Sequence, residues 1–172
     1  MKKILTLALC LALSLTVLAG CSNGGTQTSD KSPEELTQIY ADAITQNGGE
    51  MAEVNPPVTG VSEEDPMGGI ILDTLGLTQE DMSAFAISAS VINVKAYGIA
   101  AIMPAEGKEE AVTQALQSYI DRQQQNFETY LADQYEVAKN ARLETLKDGT
   151  VLMVMCDDQD TVFDAISSAI LG

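Results

Sequence analysis

The chain contains no histidine and no tryptophan. Without histidine, Ser-His and Cys-His nucleophilic sites and every His-containing metal site are excluded. Without tryptophan, and with aromatic residues at only 5%, few flat apolar faces are available to sugar rings. Basic residues are scarce as well, 9 against 25 acidic, for a formal charge of −16. Nucleic acid is bound through basic patches that release counterions, so it is excluded as a partner. An electrostatic hold on anionic lipid headgroups is disfavoured on the same ground. Gly24-Gly25, Gly48-Gly49 and Gly68-Gly69 do not stand between a strand and a helix, so none forms a phosphate loop.

Disulfides are excluded by position. Cys10 lies in an apolar N-terminal run, Cys21 follows Leu18-Ala19-Gly20, and Cys156 is then alone in the remainder. Val151-Leu152-Met153-Val154-Met155-Cys156 is continuously apolar. A small buried thiol is an ordinary core residue in such a run, and no histidine stands by to make a thiolate of it.

What is present begins with a targeting pattern. Met1-Lys2-Lys3 is a short positive segment, and residues 4–17 are apolar apart from Thr6, Ser14 and Thr16, too short with their flanks to span a bilayer. Leu18-Ala19-Gly20-Cys21 then matches the lipobox of bacterial lipoprotein precursors. Residues 1–20 are read as the signal peptide, with Leu18, Ala19 and Gly20 at the cleavage site and Cys21 as the lipidation site. The diacylglyceryl group on Cys21 is the expected membrane partner, placing the chain on the extracytoplasmic face of the cell membrane. Each buried methylene contributes about 0.8 kcal/mol, so two acyl chains hold stably where one holds marginally. Loss of Lys2 and Lys3 takes the charge from −16 to −18. Residues 21–31 form a polar tether, ten of which span about 17 Å r.m.s. as a flexible coil. Residues 32–172 are of a size for one domain with its own core.

The expected fold class is α+β. Ser32-Pro33-Glu34-Glu35 is a capping box with proline at the first helical position. Leu36, Ile39, Tyr40, Ala43 and Ile44 form one stripe, and Asn47-Gly48-Gly49 stops it. Residues 50–69 read as irregular chain, Ile70 to Leu75 as a short helix, and Thr78 to Asp81 as a turn. Phe85, Ile87, Ala89 and Val91 alternate with smaller residues, and Ile99, Ala101 and Met103 do so after a turn near residues 93–96. Glu109 to about Leu131 reads as one long amphipathic helix. A second hairpin turns at Asp148-Gly149 as type I′, Val151 to Cys156 is a central strand, and Asp157-Asp158 opens and caps a last helix. An EF-hand loop from Asp157 would need Gly and Glu where the chain has Val162 and Ser168, so calcium is not expected there. The order is a helix and then two ββα units. It predicts a four-stranded antiparallel sheet with helices packed on one face.

Val91-Ile92-Asn93-Val94-Lys95-Ala96, Tyr130-Leu131-Ala132-Asp133-Gln134-Tyr135-Glu136 and Lys139-Asn140 resemble an uncharacterised family of Gram-positive bacterial lipoproteins, domain of unknown function 4358. The similarity covers roughly residues 33–171. The family usually has proline where this chain has Ala132, which leaves the local helix end open. The resemblance implies an extracytoplasmic location and a domain boundary. It implies no reaction, ligand or catalytic residue.

The residues therefore favour a non-catalytic binding module for an envelope protein or a small ligand, with no cofactor and no metal site. The alternatives are a structural accessory subunit of an envelope complex and a hydrolase built on two carboxylates flanking a cleft. If helices cover one sheet face, the other carries Ala86, Ser88, Ser90 and Ala100 with Ile92 and Ile102. Ser88 and Ser90, with Asn93 and Lys95 at the adjoining turn, are then the candidate partner-binding surface. The plainer account of Lys95 is a solvated turn lysine.

Overall fold

A computed structural model describes residues 31–63 and 66–172. Leu18, Ala19, Gly20 and Cys21, with the rest of the signal and most of the tether, lie outside the described residues.

The first helix, α1, spans Pro33–Asn47 and starts as its sequence dictates: Glu35 N–H donates to Ser32 Oγ (3.2 Å), and Ser32 N–H donates to the Glu35 carboxylate (2.9 Å). At Gly48 the chain turns where a Cβ would lie 2.7 Å from the Ile44 carbonyl oxygen, and α2 (Gly49–Val54) follows. This short helix was expected to be irregular chain; Asn47-Gly48-Gly49 separates two helices rather than ending structure. After residues 55–62 come α3 (Met67–Leu75) and one 3₁₀ turn at Gln79–Asp81, stapled by Thr78 and Asp81. Strands β1 (Met82–Ala89) and β2 (Gly98–Pro104) form the first hairpin.

The long helix ends four residues earlier than expected, and a further helix that was not expected follows it. α4 (Glu109–Phe127) stops short of Leu131, and α5 (Ala132–Lys139) begins after a turn. Ala132 is the first residue of α5, the position at which a proline ring is tolerated. Strands β3 (Arg142–Thr145) and β4 (Val151–Met155) form the second hairpin, and α6 (Gln159–Leu171) ends the chain. The second turn is one residue longer than a type I′ pair: Gly149 N–H donates to the Leu146 carbonyl (3.1 Å) and Leu146 N–H to Thr150 (2.7 Å), with Gly149 at φ 92°. A three-residue loop closed by a left-handed glycine is the next commonest solution. Asp158 occupies the N-cap position of α6, but its side chain makes no capping hydrogen bond, and Asp157 instead faces Lys95.

The sheet has four strands and is antiparallel throughout, as the two ββα units predict, and its strand order is β1-β2-β4-β3. Its helices, expected on one face, cover both. Ala84, Ala86, Ile99, Ala101, Leu152 and Val154 pack with α1 and α6 through Tyr40, Ile44, Phe163 and Ile166. Phe85, Ile87, Ala100, Ile102, Val151 and Met153 pack with α3, α4 and α5 through Leu75, Leu116, Tyr119 and Phe127. The two units thus send their helices, α4 and α6, to opposite faces. The reason lies in β2 and β4, which are buried at every residue and need a cover on each side. Small residues such as Ala84 and Ala86 do not mark a solvated face; α1 lies over them.

Cys156 follows directly on β4 at 9% exposure, within the core that the apolar run predicts. Burial, with Asp157 and Asp158 adding to it, pushes its thiol up to about 11.

Candidate functional site

The two sheet edges are protected differently. β3 is short and charged: Arg142 lies over the Phe163 ring of α6, 3.8 Å from its centroid, and pairs with Glu144 (2.7 Å) and Asp164 (2.9 Å). β1 has eight residues and is crossed by the segment between α2 and α3. Asn55 closes α2 by donating from its side chain to Met51 (2.9 Å), and its own carbonyl accepts from Ser88 Oγ (2.5 Å). Pro56-Pro57 follows. Val58 then exchanges two bonds with Ile87, 2.8 and 2.9 Å, as an isolated bridge. Beyond it the chain passes to the other face, where a Cβ on Gly68 would lie 2.0 Å from the Gly60 carbonyl oxygen. That approach requires glycine and fixes the segment to the start of α3.

Between this segment, α3 and the end of β1 lies a cleft of about 650 Å³. Its walls include Val54, Val61, Met67 and Val91, which are 41–71% exposed, with Ile71 and Ala89 at its base. The volume is that of a ligand pocket. Among the described residues its lining carries no carboxylate, thiol or cation. Val91 also borders a second, polar groove of about 320 Å³ lined by Ser90, Asn93, Arg122 and Asn126. There Arg122 donates to the Thr74 carbonyl (2.7 Å) and Asn126 to Asn93 (3.5 Å).

The residues expected on one open face do not form one. Ser88 is fully buried, bonded to Asn55 and to the Tyr97 hydroxyl (2.8 Å). Ala86, Ala100 and Ile102 are buried too, and since Ile87 pairs with Ala100, Ala86 and Ala100 lie on opposite faces. Ser90 and Asn93 do come together, in the polar groove. Lys95 faces Asp157 at 3.7 Å, both of them exposed. The apolar cleft was missed, although Val54, Val58, Val61 and Met67 among prolines and glycines are a visible signal: apolar residues in irregular chain must pack on something or stay exposed.

The remaining perturbed groups explain structure rather than chemistry. Burial pushes the hydroxyls of Tyr97 and Tyr119 up to about 12 and raises Tyr40, whose hydroxyl meets Thr150 at 2.7 Å. Asp81 is lowered by hydrogen bonds from Thr78 and Lys108, away from the cleft lining. Among the described residues, no three Cys, Asp or Glu side chains are grouped to hold a metal ion.

A family model described as domain of unknown function (DUF4358) matches residues 66–156, just over half of the chain. The match runs from α3 to the end of β4, so it includes the whole sheet but not α1, α2 or α6. It contains one wall of the cleft, Met67, Ile71, Ala89 and Val91, and not the 54–62 wall. Two segments within it, 91–96 and 130–136, meet directly: buried Gln134 accepts from Ala96 N–H (2.9 Å). No curated protein and no solved structure matches the chain.

Proposed function

The chain belongs to the family of domain of unknown function 4358, and from there we propose that it is a non-catalytic binding module, lipid-anchored through Cys21 on the extracytoplasmic face of the cell membrane. The cleft beside β1 is its ligand site. One observation carries this reading: four large apolar side chains, Val54, Val61, Met67 and Val91, are exposed around a single concavity. Exposed apolar groups scattered singly need no explanation, but a lined cleft does. The lipobox Leu18-Ala19-Gly20-Cys21 supports the anchor. No helix among the described residues is long and apolar enough to cross a membrane.

Support for a non-catalytic role comes from the lining itself, which among the described residues offers no acid, base or nucleophile beyond the Thr59 and Ser62 hydroxyls. A second reading, a structural subunit of an envelope complex, is favoured by Ile92 and Val94, 65% and 60% exposed at the hairpin tip. The test is Met67→Glu in the full-length chain, in cells treated with a chemical crosslinker. Loss of the crosslinked species at an unchanged melting temperature is expected. Recovery of the same species in wild-type amounts would remove the cleft from the binding site.

A further inference from the structure

The cleft exposes more than side chains. In an antiparallel ladder successive residues turn their main-chain groups alternately to the two sides. Ile87 directs both of its bonds outward to Val58, so Phe85 and Ala89, two residues away on either side, also turn N–H and C=O away from β2. Continuing the Val58–Ile87 bridge would set Pro56 opposite Ala89, and proline has no N–H to give. The 55–57 segment instead leans to the α1 side, where the Asn55 carbonyl takes the Ser88 hydroxyl. Among the described residues no main-chain bond joins Ala89 to it. Ala89 is 3% exposed and lines the cleft. An amide and a carbonyl so withdrawn from water call for a partner.

We infer that the cleft takes an extended, positively charged peptide segment, which adds to the edge of β1 at Ala89 and buries alternate apolar side chains against Met67, Ile71 and Val91. This rests on the cleft being the binding site. The main chain decides for a peptide over a small apolar molecule, because a backbone supplies a donor and an acceptor at strand spacing while alternate side chains fill the pocket. The sign of the charge comes from the rim. Glu53, next to Val54, and Glu63, next to Ser62, are exposed and form no ion pair among the described residues. Among the described residues no cation lines the cleft, and Arg122 in the adjoining groove already donates to Thr74. The chain as a whole stands at −16.

The test uses full-length lipidated protein in phosphatidylcholine nanodiscs, with empty nanodiscs subtracted. Three labelled peptides are titrated: alternating valine and threonine between terminal lysines, the same peptide with alternate amides N-methylated, and the same sequence between glutamates. The lysine-flanked peptide is expected to bind and to slow deuterium exchange in the segment containing Ala89. N-methylation, which removes strand bonds without touching the protein, is expected to weaken binding at least tenfold, and glutamate flanks to do the same. Equal binding of the N-methylated peptide, with residues 54–62 and 89–91 still protected, would overturn strand addition while leaving the cleft as a binding site. Equal binding of the glutamate-flanked peptide would overturn the charge. If the lysine-flanked peptide protects no part of the cleft, the peptide inference is wrong. The Met67→Glu crosslinking result then decides separately whether the cleft reading survives.

Discussion

Ser88 Oγ lies 2.5 Å from the Asn55 carbonyl oxygen, a bond that joins the end of edge strand β1 to the exit of α2. The same hydroxyl meets Tyr97 Oη at 2.8 Å. One serine therefore satisfies both the segment that forms the outer wall of the cleft and the residue just before the returning strand.

Ser88→Ala leaves that carbonyl and phenol without their partner and is expected to cost about 1–3 kcal/mol, read from urea denaturation of the full chain. Ser88→Lys buries an unpaired charge and is expected to cost more. Ser90→Lys, at the partly exposed rim, should stay within about 0.5 kcal/mol. Equal midpoints for the two lysine variants would contradict the burial of Ser88.

Two adjacent glycines of α3 should respond oppositely. A Cβ at Gly68 would lie 2.0 Å from the Gly60 carbonyl oxygen, whereas at Gly69 the nearest atom is Val61 Cγ1 at 3.7 Å. Gly68→Ala must displace backbone and is expected to lose about 1–3 kcal/mol. Gly69→Ala is expected to gain up to about 1 kcal/mol from helix propensity. Thermal melts check both, and loss of stability in the two alike would mean the segment does not dock on α3 as described.

Much of the fold is legible in the chain. The capping box at Ser32 and Glu35, the helical stripes and the apolar β4 run each report one local geometry, and local geometry is what sequence pattern encodes. The second helical layer is not legible in the same way. Ala84, Ala86 and Ser88 are small because α1 lies over them, yet small and solvated residues look alike in sequence. The break between α4 and α5 is hidden for a related reason: Phe127 and Leu131 continue an apolar pattern across the turn, and only the packing of α5 back on α4 sets the stop. The cleft depends on three separate segments meeting, and Pro56-Pro57 announces irregular chain without announcing what it covers.

Alkaline pH should weaken the fold. Burial raises the Cys156 thiol from its ordinary 9.0 to about 11, so between those values the unfolded chain releases a proton that the folded chain keeps. Stability then falls as pH rises through that window, and Tyr97 and Tyr119, raised from 10.0 to about 12, extend the fall with the same sign. Urea midpoints from about pH 8 to about pH 11 should decline steadily, more gently at first in Cys156→Ser. Ellman's reagent should find the thiol silent in the native protein and reactive in denaturant. A flat profile, or rapid native labelling, would contradict the burial.

Attachment rests on Cys21. Wild-type protein is expected in the detergent phase after Triton X-114 separation, and Cys21→Ala is expected to lose fatty-acid labelling and normal signal processing. Equal labelling of the two proteins would end the lipoprotein reading.

The cleft itself is tested most directly by photo-crosslinking in intact cells. A benzoylphenylalanine placed at Val61, on the cleft wall, is compared with one at Ser118, on the exposed side of α4. The account predicts a discrete adduct from position 61, absent from position 118 and lost when Met67→Glu is added. The same adducts from both positions, or an adduct at 61 indifferent to Met67→Glu, would contradict it.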